Sequence, residues 1–253
     1  MNFFSPAAPL ALRLLFHKRK KTEWRRRYDL WQGAIEKQDP DFPYDWYHEY
    51  LFSARSTLEY VKLFPRPDGK ITGDINPSYC SLPERRIREL ARVVPHVKII
   101  YLLRDPVDRA WSAFRMENPD VATGLLDEAE ILRRLRRKRG EVLCAHSRYC
   151  GPLEAWEKYF PGQVKVWFYE QLCENPEELF IEVCKFLEIA PVTTFDHNKI
   201  RERVYEGPVY PIGDSALKYL SNVLREEIIG LHARFGNVYT KNWLEKAVQA
   251  LKA

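Results

Sequence analysis

Residues 97–112 read VKIIYLLRDPVDRAWS and carry the clearest structural signal in the chain. The first seven are nearly all apolar or β-branched, which is typical of a strand covered on both faces. The next residues predict the start of a helix: Asp105 is a suitable N-cap, Pro106 stands at the first helical position, and Asp108 lies three residues after the cap. A buried strand that leads directly into a helix indicates an α/β protein with a parallel sheet.

The same alternation of strand and helix continues on both sides of this segment. Apolar periodicity predicts strands over 70–74 and 164–169, and helices over 83–94, 128–138, 151–160, 176–187 and 215–235. Arg139-Gly140 is expected to close the helix over 128–138. We find no internal repeat and no convincing linker, so we expect a single domain over 1–253, with a basic helical insert at 1–43 and a core at 44–253.

Composition limits the class of protein. The chain has 253 residues, of which 45% are hydrophobic, and this content excludes a disordered chain. A net charge of +5 points to anionic ligands, and no apolar run approaches the length of about 20 residues that a membrane span needs. Five cysteines without a CxxC pair argue against a disulfide framework and against a zinc site, so we expect a reducing, cytoplasmic location and no metal.

The chemistry is expected where the strand over 97–103 ends. Ligands of open α/β sheets collect at the carboxyl ends of strands, where helix N-termini offer free N–H groups. Arg104 at that edge has a guanidinium fork that matches a phosphate, and Ser112, two turns into the helix, adds a hydroxyl. The alternative is that Arg104 pairs with Asp108 or another nearby carboxylate, and the spacing leaves both readings open.

Residues 104–112, RDPVDRAWS, resemble the 3′-phosphate-binding segment of the PAPS-dependent sulfotransferases, where PAPS is 3′-phosphoadenosine 5′-phosphosulfate. The resemblance continues in order from about Tyr44 to Trp243 and is strongest to the bacterial-type sulfotransferase domain. It implies that Arg104 and Ser112 hold the 3′-phosphate of the cofactor and that Arg109 braces the loop. It also implies a three-layer, P-loop-NTPase-like parallel sheet flanked by helices.

Two further segments resemble parts of the same family. Residues 73–79, GDINPSY, are similar to its Gly-Glu-x-x-Pro-x-Tyr loop beside the active site, which implies Asn76 and Ser78 as substrate contacts. Residues 149–160 resemble its Tyr-x-x-x-Leu-x-x-Trp-x-x-x-Phe helix, which implies Tyr149 as a third cofactor contact. The implied reaction moves a sulfuryl group from PAPS, in line and without a metal, to a hydroxyl or amine of a small-molecule or carbohydrate acceptor.

The chain also departs from the family pattern. The family opens with a strand and a Lys-Ser/Gly-Gly-Thr-Thr-type loop that cradles the 5′-phosphosulfate, and this sequence contains no such loop. The resemblance places the catalytic base, the first strand and this loop upstream of Met1. One alternative is therefore a sulfotransferase whose true start lies upstream, with the Golgi lumen as its location if a membrane anchor is missing. The other is a shortened, catalytically impaired homologue that binds PAP or an anionic glycan without transfer.

Two basic runs, at 18–27 and 133–139, raise a nucleic-acid-binding alternative. The run at 133–139 has no aromatic residue on which a base could stack, the run at 18–27 has only Trp24, and the chain has no base-reading motif. We therefore expect no nucleic-acid partner. The sequence predicts no particular oligomeric state.

Overall fold

The computed structural model describes residues 28–40, 42–44, 47, 64, 71–124, 126–191, 197–202 and 210–252. The chain divides into two compact units, Met1–His96 and Val97–Ala253. The basic run at 18–27 lies outside the described residues. The single domain over 1–253 stays a prediction.

The first unit is helical in most of its described residues. Residues 28–37 form a helix, and the hydroxyl of Tyr44 donates a hydrogen bond to the carbonyl of Ala34 at 2.7 Å. A 3₁₀ turn, Pro77–Ser81, precedes helix α1 (Glu84–Val93). Helix α1 buries Ile87 completely, in agreement with the helix predicted over 83–94.

The strand predicted over 70–74 is wrong for its described residues. Residues 71–76 have no regular structure, and the side chains of 71–75 are exposed. Gly73 and Asp74 both disfavour strands, and within the described part of the chain this segment has no strand to pair with.

In the second unit, strand β1 (Ile99–Leu103) pairs in parallel with strand β2 (Val164–Phe168), with Leu103 opposite Phe168. The helices are α2 (Pro106–Glu117), α3 (Glu128–Leu135), α4 (Lys138–Ala145), α5 (Cys150–Tyr159), α6 (Tyr169–Glu174), α7 (Pro176–Leu187), α8 (His197–Arg201), α9 (Asp214–Val223), α10 (Arg225–Phe235) and α11 (Val238–Lys252). A 3₁₀ turn, Pro119–Thr123, joins α2 to the segment before α3. The α/β class with a parallel sheet is confirmed.

Strand β1 differs from its expected environment. Tyr101 and Leu103 are buried, whereas Ile100 and Leu102 are 43% and 45% exposed. The strand is therefore covered on one face and not on both, because alternate side chains of a strand point to opposite faces of the sheet.

The end of the sheet is fixed by an aromatic cluster. The ring of Phe168 lies 5.4 Å from that of Phe235 and 5.6 Å from those of Tyr239 and Trp243. Full burial of such a side chain stabilises a fold by about 1.5–3 kcal/mol. Helix α11 also packs against α9 and α10, so the last helix of the described chain is anchored beside the carboxyl ends of the strands.

Two helix boundaries differ from the sequence prediction. The helix expected over 128–138 ends at Leu135, and Gly140 lies inside α4 rather than at a helix end. A Cβ atom on Gly140 would lie 1.9 Å from the carbonyl oxygen of Leu135, so glycine is required by a close backbone approach. The helix predicted over 215–235 divides at Leu224 into α9 and α10, and α11 is not predicted at all. Among the described residues, no helix is long and apolar enough to cross a bilayer.

Candidate anion-binding site

The carboxyl ends of β1 and β2 bring a cation and an aromatic ring together. Arg104 follows β1 and Tyr169 follows β2, because Leu103 and Phe168 are register partners. The guanidinium carbon of Arg104 lies 5.1 Å from the centroid of the Tyr169 ring. This cation–π contact holds the arginine at the strand edge while it leaves the N–H groups of the guanidinium available for a ligand.

Helix α2 begins at the same edge with the predicted cap. The carboxylate of Asp105 accepts a hydrogen bond from the backbone N–H of Val107 at 2.8 Å, and Pro106 is the first helical residue. Asp105 is only 3% exposed, so its charge needs a partner inside the protein.

That partner is Lys246 of α11. Its Nζ lies 2.9 Å from Oδ2 of Asp105 and 2.5 Å from Oδ1 of Asp108. Asp108 is therefore paired with Lys246 and not with Arg104. Among the described residues, no carboxylate forms an ion pair with Arg104.

The pKa values of Asp105 and Lys246 depend on their burial and on the charges of their neighbours. Burial, followed by the neighbouring charge of Asp108, raises the pKa of Asp105 even though Lys246 acts against both effects. Burial lowers the pKa of Lys246, but the two carboxylates outweigh this effect and raise the pKa overall. Lys246 therefore stays charged at neutral pH.

Glu170 of α6 lies near this ion pair. Its Oε1 accepts a hydrogen bond from the indole N–H of Trp243 at 2.7 Å, and its Oε2 is buried without a hydrogen-bond partner among the described residues. Burial is the main reason that the pKa of Glu170 is raised, and the charges of Asp105 and Asp108 raise it further.

We expect Glu170→Gln to raise the melting temperature at pH 7. Because the pKa of Glu170 is higher in the folded than in the unfolded protein, the native state binds more protons between the two pKa values. Its stability therefore falls as the pH rises through that window, and the neutral glutamine avoids this loss. The gain should be roughly 1–2 °C at pH 7, since half-exposed charges are screened, and should shrink towards zero near pH 4.

Glu154→Gln is the control for this prediction. Glu154 is an exposed carboxylate of α5, and its replacement should leave the melting temperature unchanged at both pH values. A melting temperature for Glu170→Gln below that of the wild type at pH 7 would contradict the prediction.

Ser112 and Arg109 both belong to α2. Ser112 is partly exposed. Arg109 donates a hydrogen bond to the carbonyl of Leu143 in α4 at 3.2 Å, and Arg139 of α4 pairs with Glu117 at the other end of α2. The two helices are thus joined in an antiparallel orientation, and Arg109 braces α2 against α4.

Tyr149 lies at the start of α5 and is only 5% exposed. Its backbone N–H and that of Cys150 donate hydrogen bonds to Oε1 of Glu227 at 2.7 and 2.8 Å. A carboxylate of the protein therefore occupies the start of this helix, where an anionic ligand could otherwise bind. The role of Tyr149 as a cofactor contact stays a prediction.

The two predicted substrate contacts belong to the first unit. Asn76 precedes the 3₁₀ turn that contains Ser78, and its carbonyl accepts a hydrogen bond from the N–H of Tyr79 at 3.1 Å. The hydroxyl of Tyr79 donates to the carboxylate of Asp74, which ties the two ends of the loop together. Substrate binding by Asn76 and Ser78 stays a prediction.

Lys246, Glu170 and Tyr169 lie at this edge but are not predicted as site residues from the sequence. The signal that could have revealed α11 is the four-residue spacing of Trp243, Ala247 and Leu251, which is typical of a helix face. Within the described ranges, no three His, Cys, Asp or Glu side chains come close enough to hold a metal ion.

The fold and this edge define an α/β protein in which an arginine and a helix N-terminus meet at the carboxyl end of a parallel strand. A family model described as the sulfotransferase family matches residues 13–193, which is most of the chain. The chain therefore belongs to the sulfotransferase family, as its resemblance to that family implies.

Known proteins with similar sequences include two heparan sulfate enzymes. The human bifunctional heparan sulfate N-deacetylase/N-sulfotransferase 3 is 29% identical over 157 residues, which cover 55% of this chain and 18% of the relative. The bifunctional heparan sulfate N-deacetylase/N-sulfotransferase 1 of Caenorhabditis briggsae is 21% identical over 252 residues, 84% of this chain and 29% of the relative. The chain thus spans less than a third of the length of either protein.

A solved structure has the same fold. The crystal structure of a sulfotransferase from Alicyclobacillus acidocaldarius matches with a TM-score of 0.54 and 20% sequence identity, and the match covers 78% of this chain and 77% of that one. This similarity confirms the predicted P-loop-like α/β fold.

Proposed function

We propose that this protein transfers a sulfuryl group from PAPS to a hydroxyl or amine of an acceptor. The observation that carries the proposal is the guanidinium of Arg104 at the end of β1, beside the N-terminus of α2, which forms no ion pair with a carboxylate of the described residues. The carboxylates of Asp105 and Asp108 both pair with Lys246, and neither forms an ion pair with Arg104. A cation fixed in this way fits the 3′-phosphate of PAPS.

The residues have distinct roles in this proposal. Arg104 and Ser112 hold the 3′-phosphate, and Tyr149 is a third cofactor contact. Arg109 keeps α2 in place. Asn76 and Ser78 contact the acceptor. When bound, PAPS supplies a sulfuryl group that is activated by its bond to phosphate. By holding the distant phosphate, Arg104 contributes orientation rather than bond breaking.

We further propose a carbohydrate acceptor. Two of the similar proteins are named for their action on heparan sulfate, which is a carbohydrate. Arg136 and Arg137, between α3 and α4, and Lys138, the first residue of α4, add exposed cations. None of the three forms an ion pair with a described carboxylate. Such a surface attracts an anionic chain. The cytoplasmic location stays a prediction that rests on the cysteines.

Two measurements on the purified chain test the proposal. Isothermal titration calorimetry measures the binding of PAP, and transfer of ³⁵S from labelled PAPS is followed with N-desulfated heparin and with a simple phenol as acceptors. Binding of PAP together with transfer to the heparin supports both parts. Binding without transfer to any acceptor favours the alternative of a homologue that binds PAP but is catalytically impaired. Absence of PAP binding overturns the proposal.

A further inference from the structure

The interaction between Lys246 and the two aspartates has a consequence for Arg104. Arg104, Asp105 and Asp108 lie within five consecutive residues, and they carry one positive and two negative charges. With Lys246 added, the group is neutral. Without Lys246 it would carry a net charge of −1. The cations nearest to the two carboxylates along the chain would then be Arg104 and Arg109, and Arg109 already donates a hydrogen bond to the carbonyl of Leu143.

The two aspartates differ in how they would respond to the loss of Lys246. Asp105 is nearly fully buried, and burial raises its pKa; because Lys246 acts against this effect, the loss of Lys246 would raise the pKa of Asp105 further. The side chain of Asp108 is 38% exposed and is therefore less enclosed than that of Asp105. Asp108 lies in the first turn of α2, and Arg104 directly precedes the residue that caps this helix, so both belong to the same edge of the sheet.

We infer that Lys246 is a positioning residue for the anion site: by holding Asp105 and Asp108, it keeps Arg104 unpaired and available to an anionic ligand. Lys246 makes this contact from α11, which is anchored by Trp243 on the ring of Phe168 and on Glu170. The inference rests on the proposed function, since it assigns Arg104 to the phosphate of PAP.

The inference predicts a specific pattern of PAP affinities. Lys246→Met should weaken PAP binding by about tenfold, because the carboxylate of Asp108 then accepts a charge-assisted hydrogen bond from the guanidinium of Arg104. Lys246→Met/Asp108→Asn should bind PAP more tightly than Lys246→Met, since the competing carboxylate is gone. Lys246→Arg should stay close to the wild type because it keeps the cation. The matched control is Lys241→Met, which removes an exposed lysine of the same helix that lies 3.7 Å from Glu245.

A purely structural role of Lys246 would give a different pattern. It would lower the melting temperature of Lys246→Met, and Asp108→Asn would not restore the affinity for PAP, because the asparagine cannot replace the lost cation. The melting temperature of each variant is therefore measured beside its dissociation constant for PAP.

A second measurement does not depend on nucleotide binding. Phenylglyoxal modifies accessible guanidinium groups, and mass spectrometry of the peptides reports its rate at Arg104 relative to the exposed Arg225 in the same molecule. We expect several-fold slower modification of Arg104 in Lys246→Met and recovery in Lys246→Met/Asp108→Asn.

The two measurements separate the inference from the proposed function. If the modification rates follow the expected pattern but the protein does not bind PAP, the role of Lys246 is retained and the proposed function is overturned. Equal modification of Arg104 in the wild type and in Lys246→Met would overturn the role of Lys246, as would equal PAP affinities of Lys246→Met and the double variant.

Discussion

Arg104→Ala is expected to weaken PAP binding by about 100-fold. A guanidinium that binds a phosphate through two N–H groups makes two charge-assisted hydrogen bonds, each of which contributes about 1.5–3 kcal/mol. The loss of both corresponds to about two orders of magnitude in the dissociation constant, even when part of the loss is offset by water. Isothermal titration at a fixed salt concentration measures the change.

Two further variants sharpen this test. Arg104→Lys keeps the charge but not the planar fork, so its affinity should fall between those of the wild type and the alanine variant. Arg225→Ala removes an exposed arginine at the start of α10 and should leave PAP binding unchanged. The assignment of Arg104 is wrong if Arg104→Ala, with an unchanged melting temperature, binds PAP as tightly as the wild type.

Gly140→Ala is expected to be the most destabilising small substitution in the second unit. The added Cβ would lie 1.9, 2.6 and 2.9 Å from the oxygen, carbon and Cα of Leu135, all of which belong to the backbone and cannot rotate away. Helix α4 would have to move, and its contacts with α2 through Arg109 and Glu117 would be disturbed. We expect a loss of about 3–5 kcal/mol and a fall in melting temperature on the order of 10 °C.

Gly151→Ala is the matched control. Gly151 is also helical, and its added Cβ would have no atom within 4 Å. Alanine stabilises an exposed helix position by about 0.5–1 kcal/mol relative to glycine, so the melting temperature should rise slightly. Thermal denaturation followed by circular dichroism distinguishes the two variants. Equal melting temperatures would show that α4 adapts to the new methyl group.

The segment from β1 into α2 can be predicted from the sequence because its signals are local. An apolar run, an Asp cap and a proline at the first helical position lie next to one another, and the structure has the strand, cap and helix in that order. The helix over 176–187 is predicted with its observed bounds for the same reason, since Asn175 caps it and Pro176 begins it.

Other features depend on contacts between distant residues. A glycine near the end of a periodic stretch usually closes a helix, whereas Gly140 is required because its backbone lies close to that of Leu135. The partner of Asp108 comes from α11, and nothing in residues 104–112 indicates it. The sequence therefore identifies Arg104 and two possible roles for it, phosphate binding or pairing with a nearby carboxylate. The choice between these roles depends on Lys246, which is far along the chain.

The contact between Lys246 and Asp105 joins residues that are 141 positions apart. Synthesis proceeds at about 5–20 residues per second, so Arg104, Asp105 and Asp108 are made on the order of 10 s before Lys246, which pairs with the two aspartates. During that interval the nascent chain contains Arg104 and both aspartates but not Lys246. The anion site is thus completed late, by the docking of the last described helix, so nascent chains shorter than about 246 residues should bind PAP weakly even when β1, β2 and α2 have already folded.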